Sequence, residues 1–194
     1  MNEFDPKIHH RRSIRLKGYD YAQAGAYFVT VVTWQRETLC GKVVDEEMVL
    51  NDMGEIVQKW WHQIPTHFPN VELGAFVIMP NHIHGIIMIT EGRGAVPASD
   101  TELQELQESQ QGRETLPLPF QKHPTLGQIV AYFKYQSTKE INALDGTGAI
   151  TKFWQRNYYD RIIRNEREMS RIWDYIEANP ARWEKDEENT ENIA

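Results

Sequence analysis

The sequence has a single cysteine, Cys40, which excludes an intramolecular disulfide and a cysteine-rich zinc knuckle. No apolar run approaches the length of a membrane span, and the N-terminal residues are polar rather than leader-like. These absences lead us to expect a soluble, cytoplasmic protein. An excess of positive charge is also missing. The chain has 21 Lys and Arg against 28 Asp and Glu, a net charge of −7, which argues against a simple polyanion binder.

The distribution of charge weakens that last exclusion. Residues 91–114 hold six acids against two bases, and residues 184–194 hold five against one. Those two stretches account for −8, so the rest of the chain sums to +1. Residues 1–18 carry five bases (Lys7, Arg11, Arg12, Arg15, Lys17) against two acids. We read them either as a solvated tail or as an arm that reaches a phosphate backbone. With 40% hydrophobic residues and 11% aromatics the chain can fill a core. Its 194 residues suggest one domain, over 19–183, flanked by a basic arm at 1–18 and an acidic tail at 184–194. Residues 92–122 are rich in Gly, Pro, Ser, Gln and Glu, and read as a mobile insertion without chemistry.

One stretch stands out: Pro80-Asn81-His82-Ile83-His84-Gly85. It lies between Phe76–Met79 and Ile86–Ile89, two short apolar runs rich in β-branched residues that read as strands. In a strand, side chains alternate between faces, so His82 and His84 share one face and Ile83 takes the other. Two imidazoles at such positions can bind one divalent metal. The plain alternative is a pair of polar residues on a wet strand face. The fully apolar flanks argue against it, because they place the strand centrally in a covered sheet. Pro80 and Asn81 supply the turn that feeds the strand.

The remaining elements follow from periodicity and capping. Ala26–Trp34 reads as a buried strand, and Lys42–Val44 with Met48–Leu50 as a small hairpin. Asn51 or Asp52 caps a helix running to about His67, with Met53, Ile56, Val57, Trp60, Trp61 and Ile64 at three- and four-residue spacing. Strands are expected at about 71–79 and 82–90. Thr125 opens a helix to about Ala143. Its later turns carry Lys134, Tyr135, Gln136, Ser137 and Lys139, either an ordinary wet face or groups that bind phosphates and stack on a base. Phe153–Arg164 reads as a strand. Asn165 with Glu168 forms a capping-box pattern for a last helix that ends near Asn179, before Pro180. On that helix Met169, Ile172, Trp173 and Ile176 form the packing stripe, while Tyr175 and Asn179, four apart, point the same way. Taken alone, they read as a packing tyrosine and a helix-ending asparagine.

Without the small hairpin, the first six elements run βαββαβ. This is the order of a ferredoxin-like α+β fold: an antiparallel sheet with helices on one face, followed here by a C-terminal helix.

Three blocks, Met79–His84, Phe153–Asp160 and Asp174–Pro180, resemble the single-tyrosine HUH transposases, closest to the REP-associated branch. The resemblance spans about Arg11 to Trp183 without the insertion. It implies a metal-dependent endonuclease and strand transferase that acts on single-stranded DNA beside a hairpin. It implies Mg²⁺ or Mn²⁺ held by His82, His84 and Asn179, with Tyr175 as nucleophile. Tyr158 and Tyr159 are the alternative nucleophiles. For DNA contacts it directs attention to Arg11, Arg12, Arg15, Lys134, Lys139, Arg156, Tyr158 and Arg161. It also implies a nucleoid-associated protein and leaves monomer and homodimer open. A competing reading is a hairpin- or single-strand-binding module of the same fold that does not cut. A histidine-triad hydrolase would need a third alternating histidine, and position 86 is Ile.

Overall fold

The structure is a computed structural model that describes residues 18–91, 124–144, 152–185 and 189. The basic arm, most of the acidic tail and the expected insertion lie outside the described residues. Strand β1, Gly25–Val32, runs through the middle of the sheet. It pairs antiparallel with β5, His82–Ile89, on one side and with β6, Tyr159–Ile163, on the other. Strand β4, Val71–Ile78, pairs antiparallel with β5, so the order is β4-β5-β1-β6. This is the ferredoxin-like α+β arrangement expected from the sequence. Strands β2, Gly41–Val44, and β3, Glu47–Leu50, form the separate hairpin. Its two-residue turn places Asp45 and Glu46 at φ of 51° and 64°, matching the twist of the flanking strands.

Alternation along β1 and β5 decides what covers each face. Tyr27, Val29, Val31, Ile83 and Ile87 point to a core shared with α1, Asp52–His62, and α3, Leu126–Leu144. The opposite face carries Phe28, Ile86, Ala75 and Ile163, packed against Ile172 and Ile176 of α4, Glu166–Glu177. Each of those two isoleucines contributes about 1.5–3 kcal/mol by leaving water. The helix therefore seats on the face that also carries His82 and His84. Asn165 caps it, accepting from the Glu168 backbone N–H at 2.9 Å. The Glu168 carboxylate reaches back to the Arg164 N–H at 3.0 Å, one residue before the cap nitrogen of a standard capping box.

Two expected elements differ from the structure. The helix expected over 52–67 is broken into α1 and α2, Ile64–His67. Pro65 has no N–H to continue the ladder onto Trp61, so the chain turns at Gln63, whose N–H closes α1 on the Lys59 carbonyl at 3.1 Å. The strand expected over 153–164 is regular only over Tyr159–Ile163. Upstream, Trp154 makes an isolated bridge to Thr33. Between them the Lys134 ammonium donates to the carbonyls of Gln155, Arg156 and Asn157, which draws that backbone out of the ladder.

Candidate active site

His82 and His84 are both buried, on the central strand and beneath the start of the C-terminal segment. Their Nε2 atoms face each other at 3.1 Å. The tautomer of His82 follows from its neighbours. The Asn81 amide nitrogen donates to the Arg36 carbonyl at 3.2 Å, which turns Asn81 Oδ1 toward His82. His82 Nδ1–H donates to that oxygen at 2.8 Å, leaving the Nε2 lone pair aimed at His84. Burial, with the nearby Arg36 charge adding to it, pushes the His82 pKa down to about 3, so the ring stays neutral.

His84 has a different support. Its Nδ1 lies 2.8 Å from Thr30 Oγ1, directly across the β1–β5 ladder. A hydroxyl both donates and accepts, so Thr30 can satisfy either tautomer of His84. Phe28 stacks on the His84 ring at 5.2 Å and 29°. Sequence reasoning missed Thr30 and gave Asn81 only a turn. The available signal was Thr30 as the polar residue within an apolar strand, but its meaning depends on cross-strand register.

Tyr175 of α4 brings its hydroxyl to 3.2 Å from His84 Nε2. The residue is 38% exposed, so solvent and a ligand can reach it. Two turns later Trp183 sits beside His82, ring centroids 6.1 Å apart. Asn179 lies midway along the chain between these two contacts. It is buried, and its Oδ1 has no hydrogen-bond partner among the described residues. A buried amide oxygen without a donor costs about 1–3 kcal/mol.

The two imidazoles offer nitrogen donors of a kind that a divalent cation takes. Two imidazole lone pairs cannot face each other at 3.1 Å unless a proton or a cation lies between them. That spacing is an ordinary nitrogen–nitrogen hydrogen-bond distance and also one that two donors on a single cation can have. An amide oxygen such as Asn179 Oδ1 is a hard donor by type. Among the described residues no group of three or more His, Cys, Asp or Glu could hold a metal ion. Asn81 and Thr30 each hold the Nδ1 atom of one imidazole and so fix the orientation of the pair.

The other residues singled out in the sequence are scattered. Arg11, Arg12 and Arg15 lie outside the described residues. Lys134 is half-buried among three backbone carbonyls, and burial lowers its pKa to about 8. Ser137 is buried and joins Trp154 Nε1 to the Phe133 carbonyl. Arg161 pairs with Glu168 at 2.5 Å. Lys139 and Arg156 are exposed, and Tyr158 packs against the α1–α3 core. Tyr159 pairs with Thr30 and so stands on the histidine face, one strand further from His84 than Thr30.

Comparison with known proteins finds no matching family model. An uncharacterized protein of Haemophilus influenzae is 40% identical over 188 residues, covering 95% of this chain and 96% of that protein. The solved structure of a REP-associated tyrosine transposase bound to a REP hairpin aligns with a TM-score of 0.55 at 18% identity, over 88% of this chain and 74% of that one. A transposase candidate from Deinococcus radiodurans aligns at 17% identity with a TM-score of 0.44, over 85% of this chain and 96% of that one. No described helix is long and apolar enough to cross a membrane. The chain belongs to one family with the Haemophilus influenzae protein and has the fold of the REP-associated tyrosine transposase.

Proposed function

We propose that the protein is a metal-dependent endonuclease and strand transferase for single-stranded DNA beside a hairpin. The observation that carries this reading is the Tyr175 hydroxyl 3.2 Å from His84 Nε2, in a site whose two histidines face each other at 3.1 Å. A tyrosine hydroxyl and a two-imidazole pair meet on one sheet face, and the buried Asn179, four residues after Tyr175, is the third ligand of this reading. The hairpin bound to the transposase of like fold supports a hairpin-bearing DNA as partner.

Bound by His82, His84 and Asn179, Mg²⁺ or Mn²⁺ would neutralise charge on a scissile phosphate and polarise its P–O bonds. Tyr175 Oη attacks phosphorus. The Tyr O–P bond forms, the P–O3′ bond breaks, the phenolic proton leaves to solvent, and the departing 3′ oxygen takes one up. The product is a 5′-phosphotyrosine and a free 3′-OH. The bond energy stays in the ester, so a second 3′-OH can reverse the step and join a new strand. Asn81 and Thr30 hold the imidazoles in register throughout, and Phe28 limits rotation of His84.

The test is a denaturing gel of protein incubated with Mn²⁺ and a pool of hairpin-capped single-stranded DNA. A protein–DNA adduct that disappears in EDTA and in Tyr175→Phe supports the reading. Binding without an adduct supports the non-cutting module instead.

A further inference from the structure

A groove of about 870 Å³ opens on the other side of the sheet from the histidines, between α3 and the irregular segment 152–158. Its lining contains Lys134, Lys139, Lys152 and Arg156 and no carboxylate. In a chain of net charge −7 this is a local reversal of sign. None of Lys139, Lys152 and Arg156 forms an ion pair among the described residues, and Lys152 instead sits 4.4 Å over the Trp34 ring. Tyr135 stands at the rim, 65% exposed, one helical turn before Lys139. An aromatic face beside unpaired cations is the chemistry that holds an unpaired base and its phosphates.

The groove lies at the histidine end of the sheet. Its wall residue Trp154 bridges Thr33, and the neighbouring Val32 pairs with His82. Two strand spacings, about 10 Å, therefore separate that wall from the histidine strand. The groove and Tyr175 thus lie on opposite faces of the sheet, and the groove wall meets the sheet at the end that carries His82. Lys134 serves the groove differently, because three carbonyls hold its amine and it thereby shapes the 155–157 backbone that forms the wall.

We propose that this groove seats an unpaired nucleotide of the same DNA strand that reaches Tyr175, its base on Tyr135 and its flanking phosphates at Lys139 and Arg156. The proposal rests on the DNA-strand reading above. The test uses fluorescence anisotropy of the full chain with a labelled, random-sequence single-stranded pool of about 20 nucleotides in EDTA, where no cutting occurs. Tyr135→Ala is expected to weaken binding ~5- to 150-fold, the range for loss of one stacked base. Lys139→Ala and Arg156→Ala are each expected to lower the slope of log affinity against log salt by about 0.7. Lys42→Ala, on the remote hairpin, serves as the control and leaves both unchanged. Wild type that fails to bind, or Tyr135→Ala within about twofold of wild type, overturns the proposal. Tyr135-dependent binding without a Mn²⁺-dependent adduct refutes the chemistry at Tyr175 but upholds the groove. An adduct with Tyr135-independent binding refutes the groove alone.

Discussion

Alanine at Gly85 tests the tightest contact beneath the histidine strand. An added Cβ would lie 2.3 Å from Trp61 Cζ2 and 2.6 Å from Cη2, far inside van der Waals distance. The ring has little room to retreat. Trp61 is buried, stacked on Phe76 at 4.5 Å and 7°, and its edge meets Phe133 at 5.5 Å. Overpacking of this kind costs about 1–3 kcal/mol, and a clash against a wedged indole belongs at the top of that range. For a chain of this size about 3 kcal/mol lowers Tm by roughly 6–12 °C. The strand can relax by lifting away from α1, which displaces His84, the adjacent residue. Metal affinity should therefore fall along with Tm. Thermal and urea melts of Gly85→Ala, Trp61→Phe and the double variant check this. Phenylalanine removes the colliding atoms and also the indole N–H, which is buried without a hydrogen-bond partner among the described residues. The double variant should therefore be less destabilised than the sum of the singles, by about 0.5–3 kcal/mol. A Gly85→Ala protein that melts within about 2 °C of wild type, or strictly additive variants, would refute the packing argument.

Further expectations concern the histidine pair and its helix. His82 stays neutral in the fold down to about pH 3, whereas in the unfolded chain it takes a proton near 6.5. Between those values the unfolded chain binds the extra proton, so stability falls as pH drops through that window. By this group alone the metal-free protein loses about 2 kcal/mol between roughly pH 8 and pH 5, and urea melts of His82→Asn should lack that part of the slope. Asn81→Ala removes the acceptor that orients His82, and calorimetry with Mn²⁺ should show affinity reduced ~10- to 100-fold. In the same experiment His82→Ala and His84→Ala should leave no measurable binding. Asn165→Ala uncaps the helix that carries Tyr175, costs about 1 kcal/mol and should lower Tm by roughly 2–4 °C.

The sheet and its main helices were legible because each strand and helix displays its own period. The runs around His82 and His84 alternate against apolar flanks, and Asn165 with Glu168 marks the start of the last helix in four residues. The breaks were less legible. Pro65 ends α1 only because its missing N–H falls where Trp61 needs a donor. The irregular path of residues 153–158 depends on Lys134, some twenty residues away in sequence. The site was half legible for the same reason. Alternation puts both histidines on one face, but not which helix covers that face. That α4 rather than α3 seats there, that Thr30 stands across from His84, and that Asn81 is turned by the Arg36 carbonyl all follow from register and packing. Tyr159 shares the histidine face through that same register, which a reading of the strand alone does not show.

The central claim is that Tyr175, beside the histidine pair, is the residue that takes the DNA. The most direct measurement is peptide mapping by mass spectrometry of the adduct formed in Mn²⁺, after nuclease and protease digestion. The account predicts a nucleotide phosphate on the peptide containing Tyr175, and none on that containing Tyr158 and Tyr159. Phosphate on Tyr159, which stands on the same face across Thr30, would contradict the assignment and move the nucleophile from the helix to the sheet edge.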